Sequence, residues 1–224
     1  MRPGRLRIVL ANPNSSAATT AAMAAIAAEA AGDGVEIVAL TAPRGPNLIT
    51  TERDLAAAAA VVASMRDAIA ALRPDAVLVA AFGDPGRAAL QAALAPTPVV
   101  GIGEAAMLAA SSLGRYAIVT TTPDLLASID FMNASGPWPE RYAGTVLTPG
   151  DPALLMSRPD QLLEALDLAC RVAADGSVRS IIIGGGPLAT AARAIRERVP
   201  VPIVEPIPEA VRLAMQRVEA GRPG

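Results

Sequence analysis

Two carboxylates in this chain stand where an apolar run ends, the place where an acid or base meets a ligand in parallel α/β proteins. Asp84, in Phe82-Gly83-Asp84-Pro85-Gly86, follows the run Ala76–Ala80. A carboxylate enclosed in a cleft can have its pKa raised into the range of a general base. Its competing role is to cap a helix starting near Pro85, because proline suits the first helical position. Glu205 lies just past Ile203-Val204, within reach of the same kind of cleft. Tyr142 closes a loop that also holds Trp138. With aromatics at only 2% of residues, such a pair can wall a ligand site or make a subunit contact.

Other segments are suited to holding an oxygen. Asn14 and Ser15 belong to Asn12-Pro13-Asn14-Ser15-Ser16, which leaves a strand and enters a helix. Backbone N–H groups at a helix start suit a carbonyl or anionic oxygen, and a plain helix cap is the alternative. Phe82 and Gly83 lead the second loop, and the Gly83 amide can act as an oxyanion donor. Gly184-Gly185-Gly186-Pro187 lacks the Lys-Ser/Thr of a P-loop and the spacing of a dinucleotide fingerprint. It reads as a tight strand-to-helix turn whose bare amides, at Gly185 and Gly186, face a cleft. Thr120 and Thr121, in Thr120-Thr121-Thr122-Pro123, can meet a polar ligand edge or simply end a strand.

These segments must be positioned by elements that alternate along the chain. Short β-branched runs are expected at Leu6–Ala11, Val35–Leu40, Ala76–Ala80, Val99–Ile102, Ala117–Thr121, Gly144–Leu147, Ser180–Ile183 and Ile203–Val204. Between them, helices are expected at Ala17–Ala31, Glu52–Leu72, Gly86–Leu94, Glu104–Ser111, Pro123–Met132, Pro159–Ala174, Leu188–Arg198 and Pro208–Ala220. The list repeats. Arg7–Asn12 parallels Tyr116–Thr121, Asp75–Ala80 parallels Arg179–Gly184, and Thr97–Val100 parallels Val201–Val204. This pattern predicts an α/β fold of two pseudo-symmetric flavodoxin-like lobes, each a four-stranded parallel sheet flanked by helices. Residues 1–100 plus 207–224 would form lobe 1, and residues 101–206 lobe 2. Ligands bind beyond the carboxyl ends of such strands, so the expected site is an interlobe cleft.

Composition removes whole classes of function. The chain of 224 residues has no histidine and one cysteine, which excludes a Ser-His-Asp or Cys-His device within one chain and any internal disulfide. The same shortage argues against a zinc or transition-metal site. Cys170, with Leu163, Leu166 and Ala169 on nearby turns, reads as a buried, inert thiol. All 19 basic residues are arginines, scattered along a chain of net charge -2, which leaves no footprint for nucleic acid. No apolar stretch is long enough to span a membrane and no signal peptide is recognisable, so the expected location is cytoplasmic.

Asn12–Ser16, Ala80-Ala81-Phe82-Gly83-Asp84-Pro85-Gly86, Gly101–Ala106, Thr120–Thr122 and Gly184–Ala189 together resemble the Asp/Glu/hydantoin racemase superfamily, most nearly its hydantoin racemase branch. Strings of the type A-C-F-G-D-P-G and G-C-A-G-M-A occur there, with the two cysteines as acid and base. Ala81 and Gly185 occupy those positions here. The resemblance implies isomerase- or lyase-type chemistry on a small carbonyl or carboxylate compound, through an enolate-like intermediate and without a cofactor. It also implies a homo-oligomer. Because the family keeps the aspartate while using cysteines, it favours the capping role for Asp84. Glu104, opening a helix, reads as a residue on the favourable end of a helix dipole. Replacement acid/base groups would come from Glu205, Asp84, Tyr142 or a bound water. Asn14, Ser15, Phe82, Gly83, Thr120, Thr121, Gly185 and Gly186 would bind substrate. A non-catalytic binding protein is the reading of a different class.

Overall fold

The computed structural model describes residues 5–221. All eight expected strands form: β1 (Leu6–Asn12), β2 (Val35–Thr41), β3 (Ala76–Val79), β4 (Val99–Gly101), β5 (Tyr116–Thr120), β6 (Tyr142–Leu147), β7 (Ser180–Ile183) and β8 (Ile203–Val204). They assemble as two parallel sheets, ordered β2-β1-β3-β4 and β6-β5-β7-β8. The second order is the first with every strand number advanced by four, so the internal repeat seen in the sequence is a repeat of topology. Strand β3 is buried at every position, as is β7. Continuous Val/Ile/Leu runs suit strands covered on both faces, which is why these segments do not alternate.

The chain divides into two compact units. One holds the described residues up to Ile49, Arg53–Ala105 and the residues from Ile207 onward; the other holds Thr50–Glu52 and Ala106–Pro206. The first unit packs Val9, Ala11, Val62, Ile69, Val77, Val79 and Leu90 into its core. The second packs Val119, Leu166, Cys170, Ile181, Ile183 and Ile195. Alanine and branched aliphatics fill both, consistent with the scarcity of aromatics.

Helices α1 (Ala17–Ala31), α4 (Arg87–Leu94), α5 (Ile102–Leu113), α8 (Pro159–Ala173) and α10 (Pro206–Ala220) fall near their expected places. The expected helix Glu52–Leu72 is instead two, α2 (Glu52–Ser64) and α3 (Arg66–Ala71). They part at Met65, whose N–H is shared between the Val61 and Val62 carbonyls. No glycine or proline marks that break, so nothing local predicts it. Pro123–Leu125 and Gly186–Leu188 are tight 3₁₀ turns that precede α6 (Leu126–Ala134) and α9 (Ala189–Ile195). A 3₁₀ turn at Pro139–Arg141 and a short helix, α7 (Pro152–Met156), complete the set and were not expected. Asp151 caps α7 through its Oδ1, which accepts the Leu154 N–H at 2.9 Å.

Candidate functional site

In each unit, two loops leave the sheet side by side at the point where strand order reverses. In the first these are Asn12–Ser16 after β1 and Ala80–Gly86 after β3, joined where Ala80 N–H donates to Ala11 O at 2.9 Å. In the second they are Thr120–Pro123 after β5 and Gly184–Leu188 after β7, joined where Gly184 N–H donates to Val119 O at 2.8 Å. A crevice beyond the carboxyl ends of strands, at a topological switch point, is where open parallel sheets bind ligands. Ala81 and Gly185 occupy the same position in the two units, two residues beyond β3 and β7.

The loop after β1 is a closed polar network. Ser16 is the N-cap of α1, its Oγ accepting the Thr19 N–H. Asn12 and Asn14 are both buried. Ser15 N–H donates to Pro46 O and Ser16 N–H donates to Asn14 Oδ1, so neither amide is open to a ligand, contrary to expectation. The Ser15 hydroxyl donates to Gly45 O. What remains for a ligand from Asn14 is its Nδ2, which donates to no described residue.

Asp84 caps a helix, but not the one expected. Helix α4 starts from Gly86 with no side-chain cap. The Asp84 carboxylate reaches across to the start of α5, accepting Gly103 N–H at 2.8 Å and Glu104 N–H at 2.7 Å. It lies so close over Gly101 that a Cβ there would land on the carboxylate. Burial raises its pKa to about 6, against the pull of the two amides. Glu104 in turn meets Arg217 at 2.7 Å and Arg87 at 3.5 Å. Asp84 thus ties the Ala81–Gly83 loop to β4 and α5. Both of its oxygens are engaged, which disfavours it as a proton carrier. Phe82 and Gly83 precede it in the loop, Gly83 at φ 103°.

Glu205 is also engaged. It follows β8 and accepts from Arg193 Nε of α9 at 2.6 Å, with Arg196 at 4.0 Å. Where the first unit lays Asp84 from the β3 loop over Gly101 at the end of β4, the second supplies its carboxylate from the segment after the last strand.

Tyr142 is at the other end of its sheet. It opens β6 opposite Tyr116, at the amino ends of the strands, whereas the Thr120 loop leaves from the carboxyl end. Its hydroxyl donates to Asp130 at 2.6 Å and lies 2.6 Å from Thr145 Oγ1, and burial pushes its pKa up. This placement sets Tyr142, expected as an acid/base or a wall of the site, a strand length away from the Thr120 loop. Parallel register explains it: a strand's first residue lies a full strand length from the ligand end.

Thr120 Oγ1 donates to Gly184 O at 3.0 Å and lies 3.1 Å from Thr122 Oγ1. Its proton therefore clips the two loops of the second unit together, and Thr121, buried with no such bond, is the freer of the pair. Gly185 has φ 145° and ψ 123°, and a Cβ there would meet Leu188 Cδ1 and Cγ at 3.3 Å. Gly186 opens the 3₁₀ turn that follows. Cys170 is wholly buried and its thiol is pushed up to about 12 by burial. Among the described residues no group of three or more Cys, Asp or Glu side chains could hold a metal ion. No described helix is long and apolar enough to cross a membrane.

Two four-stranded parallel sheets of the same strand order, each with a pair of polar loops at its switch point, are the α/β architecture of the racemase superfamily. The chain belongs to the Asp/Glu/Hydantoin racemase family, whose profile matches residues 8–214. It is 30% identical to the hydantoin racemase of Paenarthrobacter aurescens over 96% of this chain and 92% of that protein. Its fold superposes on an allantoin racemase from Klebsiella pneumoniae with a TM-score of 0.89 at 30% identity, covering 96% of this chain and 89% of the other. An allantoin racemase from Pseudomonas fluorescens gives 0.86 at 32% identity, covering 96% and 92%.

Proposed function

We propose that this chain binds a small carbonyl compound of the hydantoin or allantoin type and promotes isomerase- or lyase-type chemistry through an enolate-like form. The observation that carries the reading is a contrast. Polar loops leave the carboxyl end of each sheet at its switch point, while Ala81 and Gly185 supply no proton carrier where the family resemblance places cysteines. A fixed donor beside a carbonyl stabilises the negative charge that develops on its oxygen when the neighbouring carbon loses a proton or a carboxylate. The proton then travels through water or through Glu205, the carboxylate of the candidate set that follows the last strand of the second sheet.

Proton-exchange NMR in D₂O tests this directly, using 5-methylhydantoin, allantoin, aspartate, glutamate, maleate and a substituted malonate. Protein-dependent exchange or conversion supports the proposal, and its loss in Glu205→Gln with folding intact assigns the carrier. Binding without exchange on any of these compounds sinks it in favour of the second reading, a non-catalytic small-molecule-binding protein. That alternative draws on a specific observation: Asp84 and Glu205 are both tied up in internal bonds.

A further inference from the structure

Exposed apolar side chains are unevenly spread over this chain. Among the described residues, every large apolar side chain that is exposed belongs to the second unit. Three of them gather at the amino end of its sheet: Leu113 is 53% exposed, Phe131 74% and Trp138 40%. Leu113 ends α5, just before β5 begins at Tyr116. Phe131 follows Asp130, whose carboxylate accepts the Tyr142 hydroxyl at 2.6 Å where β6 begins. Trp138 precedes the 3₁₀ turn Pro139–Arg141 that leads into β6. Arg141 joins the set, its guanidinium 5.5 Å from the centre of the Trp138 ring and donating to Ser111 O near the end of α5. Parallel sheets bind ligands at their other end, so the candidate site does not account for these side chains.

An apolar cluster of this kind marks an interaction surface. Helix α6 turns Ile129 and Asn133 inward and leaves Phe131 outward. Trp138 is flanked by Pro137 and Pro139 and held against Arg141, which limits the freedom it loses on being buried. Tryptophan, phenylalanine and arginine are the types enriched at the centre of protein interfaces. The three apolar side chains leave open roughly 300 Å², enough for the core of a standard interface of about 800 Å² per partner but not for its whole. The rim identifies the partner. Asp130 and Glu140 stand among Arg115 and Arg141, so both signs of charge are interspersed. A nucleic acid or a strongly charged protein would call for a rim of one sign. A second copy of this chain, turned about a two-fold axis, brings the same mixed rim and sets acid against arginine on both sides.

We propose that Leu113, Phe131 and Trp138 are the centre of a two-fold interface through which the second units of two copies of this chain associate. The interface lies at the opposite end of the sheet from the Thr120 loop, so the proposal stands whatever the ligand is.

Trp138 is the chain's one tryptophan, so its fluorescence reports on this face alone. Sedimentation velocity on the full chain reads the association state, and acrylamide quenching reads the exposure of Trp138. Wild type should sediment as a dimer or a multiple of one, with Trp138 shielded. Phe131→Asp should weaken self-association roughly thirtyfold or more, the effect of losing a central interface residue, and open Trp138 to the quencher. Leu113→Asp, on a different element, should do the same, and far-UV circular dichroism checks that both variants stay folded. A wild type that is monomeric at every concentration overturns the proposal. So does a dimer in which Trp138 is quenched as freely as in Phe131→Asp, because its interface would then lie elsewhere. Folded variants that both associate like wild type overturn it as well.

Discussion

Introducing cysteine at position 81 and at position 185 should have unequal consequences, although the two positions are equivalent in the repeat. At Ala81 the backbone is ordinary: Arg73 and Asp84 are the only non-glycine residues at positive φ among those described. A thiol there has only to fit one sulfur atom. At Gly185 the backbone sits at φ 145°, and the new Cβ would press on Leu188 at 3.3 Å. Holding a side chain in that region costs roughly 1–3 kcal/mol, and pushing Leu188 off its rotamer adds about 0.5–1.5 kcal/mol. The sum, roughly 2–4 kcal/mol, corresponds to a drop in thermal midpoint of roughly 4–16 °C for a chain of this size. Thermal melts of Ala81→Cys and Gly185→Cys measure it. Thiol labelling gives an independent readout on a clean background, since Cys170, the chain's single cysteine, is buried with its thiol pushed up to about 12. Ala81→Cys should melt well above Gly185→Cys, and the labelling rate of each reads how far its loop opens to solvent. Equal midpoints for the two variants would refute the reasoning, because they would mean that the loop after β7 accepts a side chain without strain.

Three further outcomes follow from the same geometry. Burial raises Asp84 from 3.8 to about 6, so its protonated form favours the folded state. That contribution is complete below about pH 4 and is lost as pH rises through about 6, in all about 3 kcal/mol. Urea unfolding of wild type across this window should show the decline and Asp84→Asn should lack it; parallel profiles would contradict the assignment. Gly101→Ala should destabilise by about 2 kcal/mol or more, because the methyl group displaces the Asp84 carboxylate from its two amides. In an Asp84→Ala background the same substitution should cost much less, a coupling that a double-mutant cycle in denaturant reads. Tyr142→Phe removes a hydroxyl bonded to Asp130 and should cost about 1 kcal/mol in stability. It should leave the affinity for 5-methylhydantoin unchanged, and a weakened affinity in calorimetry would return Tyr142 to the site.

What could be read from the sequence was whatever depends on neighbours along the chain. Val/Ile runs gave every strand, and Ser16 with an alanine-rich tract gave α1 at its full length. Contacts made across the sheet were not readable. Asp84 precedes Pro85, a local sign of a cap for the next helix, yet its carboxylate serves amides 19 and 20 residues away. The available hint was Gly101-Ile102-Gly103, since a residue without Cβ at the end of β4 leaves room for a group from elsewhere. Ser15 looked like an open donor because Pro46 O, which consumes its amide, comes from a distant loop, whereas the Asn14 side chain taking the Ser16 N–H is a local turn whose spacing the sequence shows. Tyr142 is a case of another kind, since parallel register in the expected β6 already put the start of that strand at the end away from the Thr120 loop.

The two positions that lack cysteine differ in a way that bears on how this chain departs from the chemistry its resemblance implies. Ala81 is a change of side chain on a backbone that would hold another one. Gly185, followed by Pro187 and a 3₁₀ turn, is a change of backbone, with Leu188 against the space a side chain would take. Removal of a proton carrier alone would leave the loop fit to receive it again, as at Ala81. The second unit's loop is instead built around its glycine, and Thr120 fastens it through Gly184 O. On the reading proposed above, oxygen-holding groups belong to loops fixed by the sheet and proton-carrying groups to single side chains on them. Under the proposed function, a reaction that needs a carbonyl oxygen held but draws its proton from water or a carboxylate would place demands on the first set only.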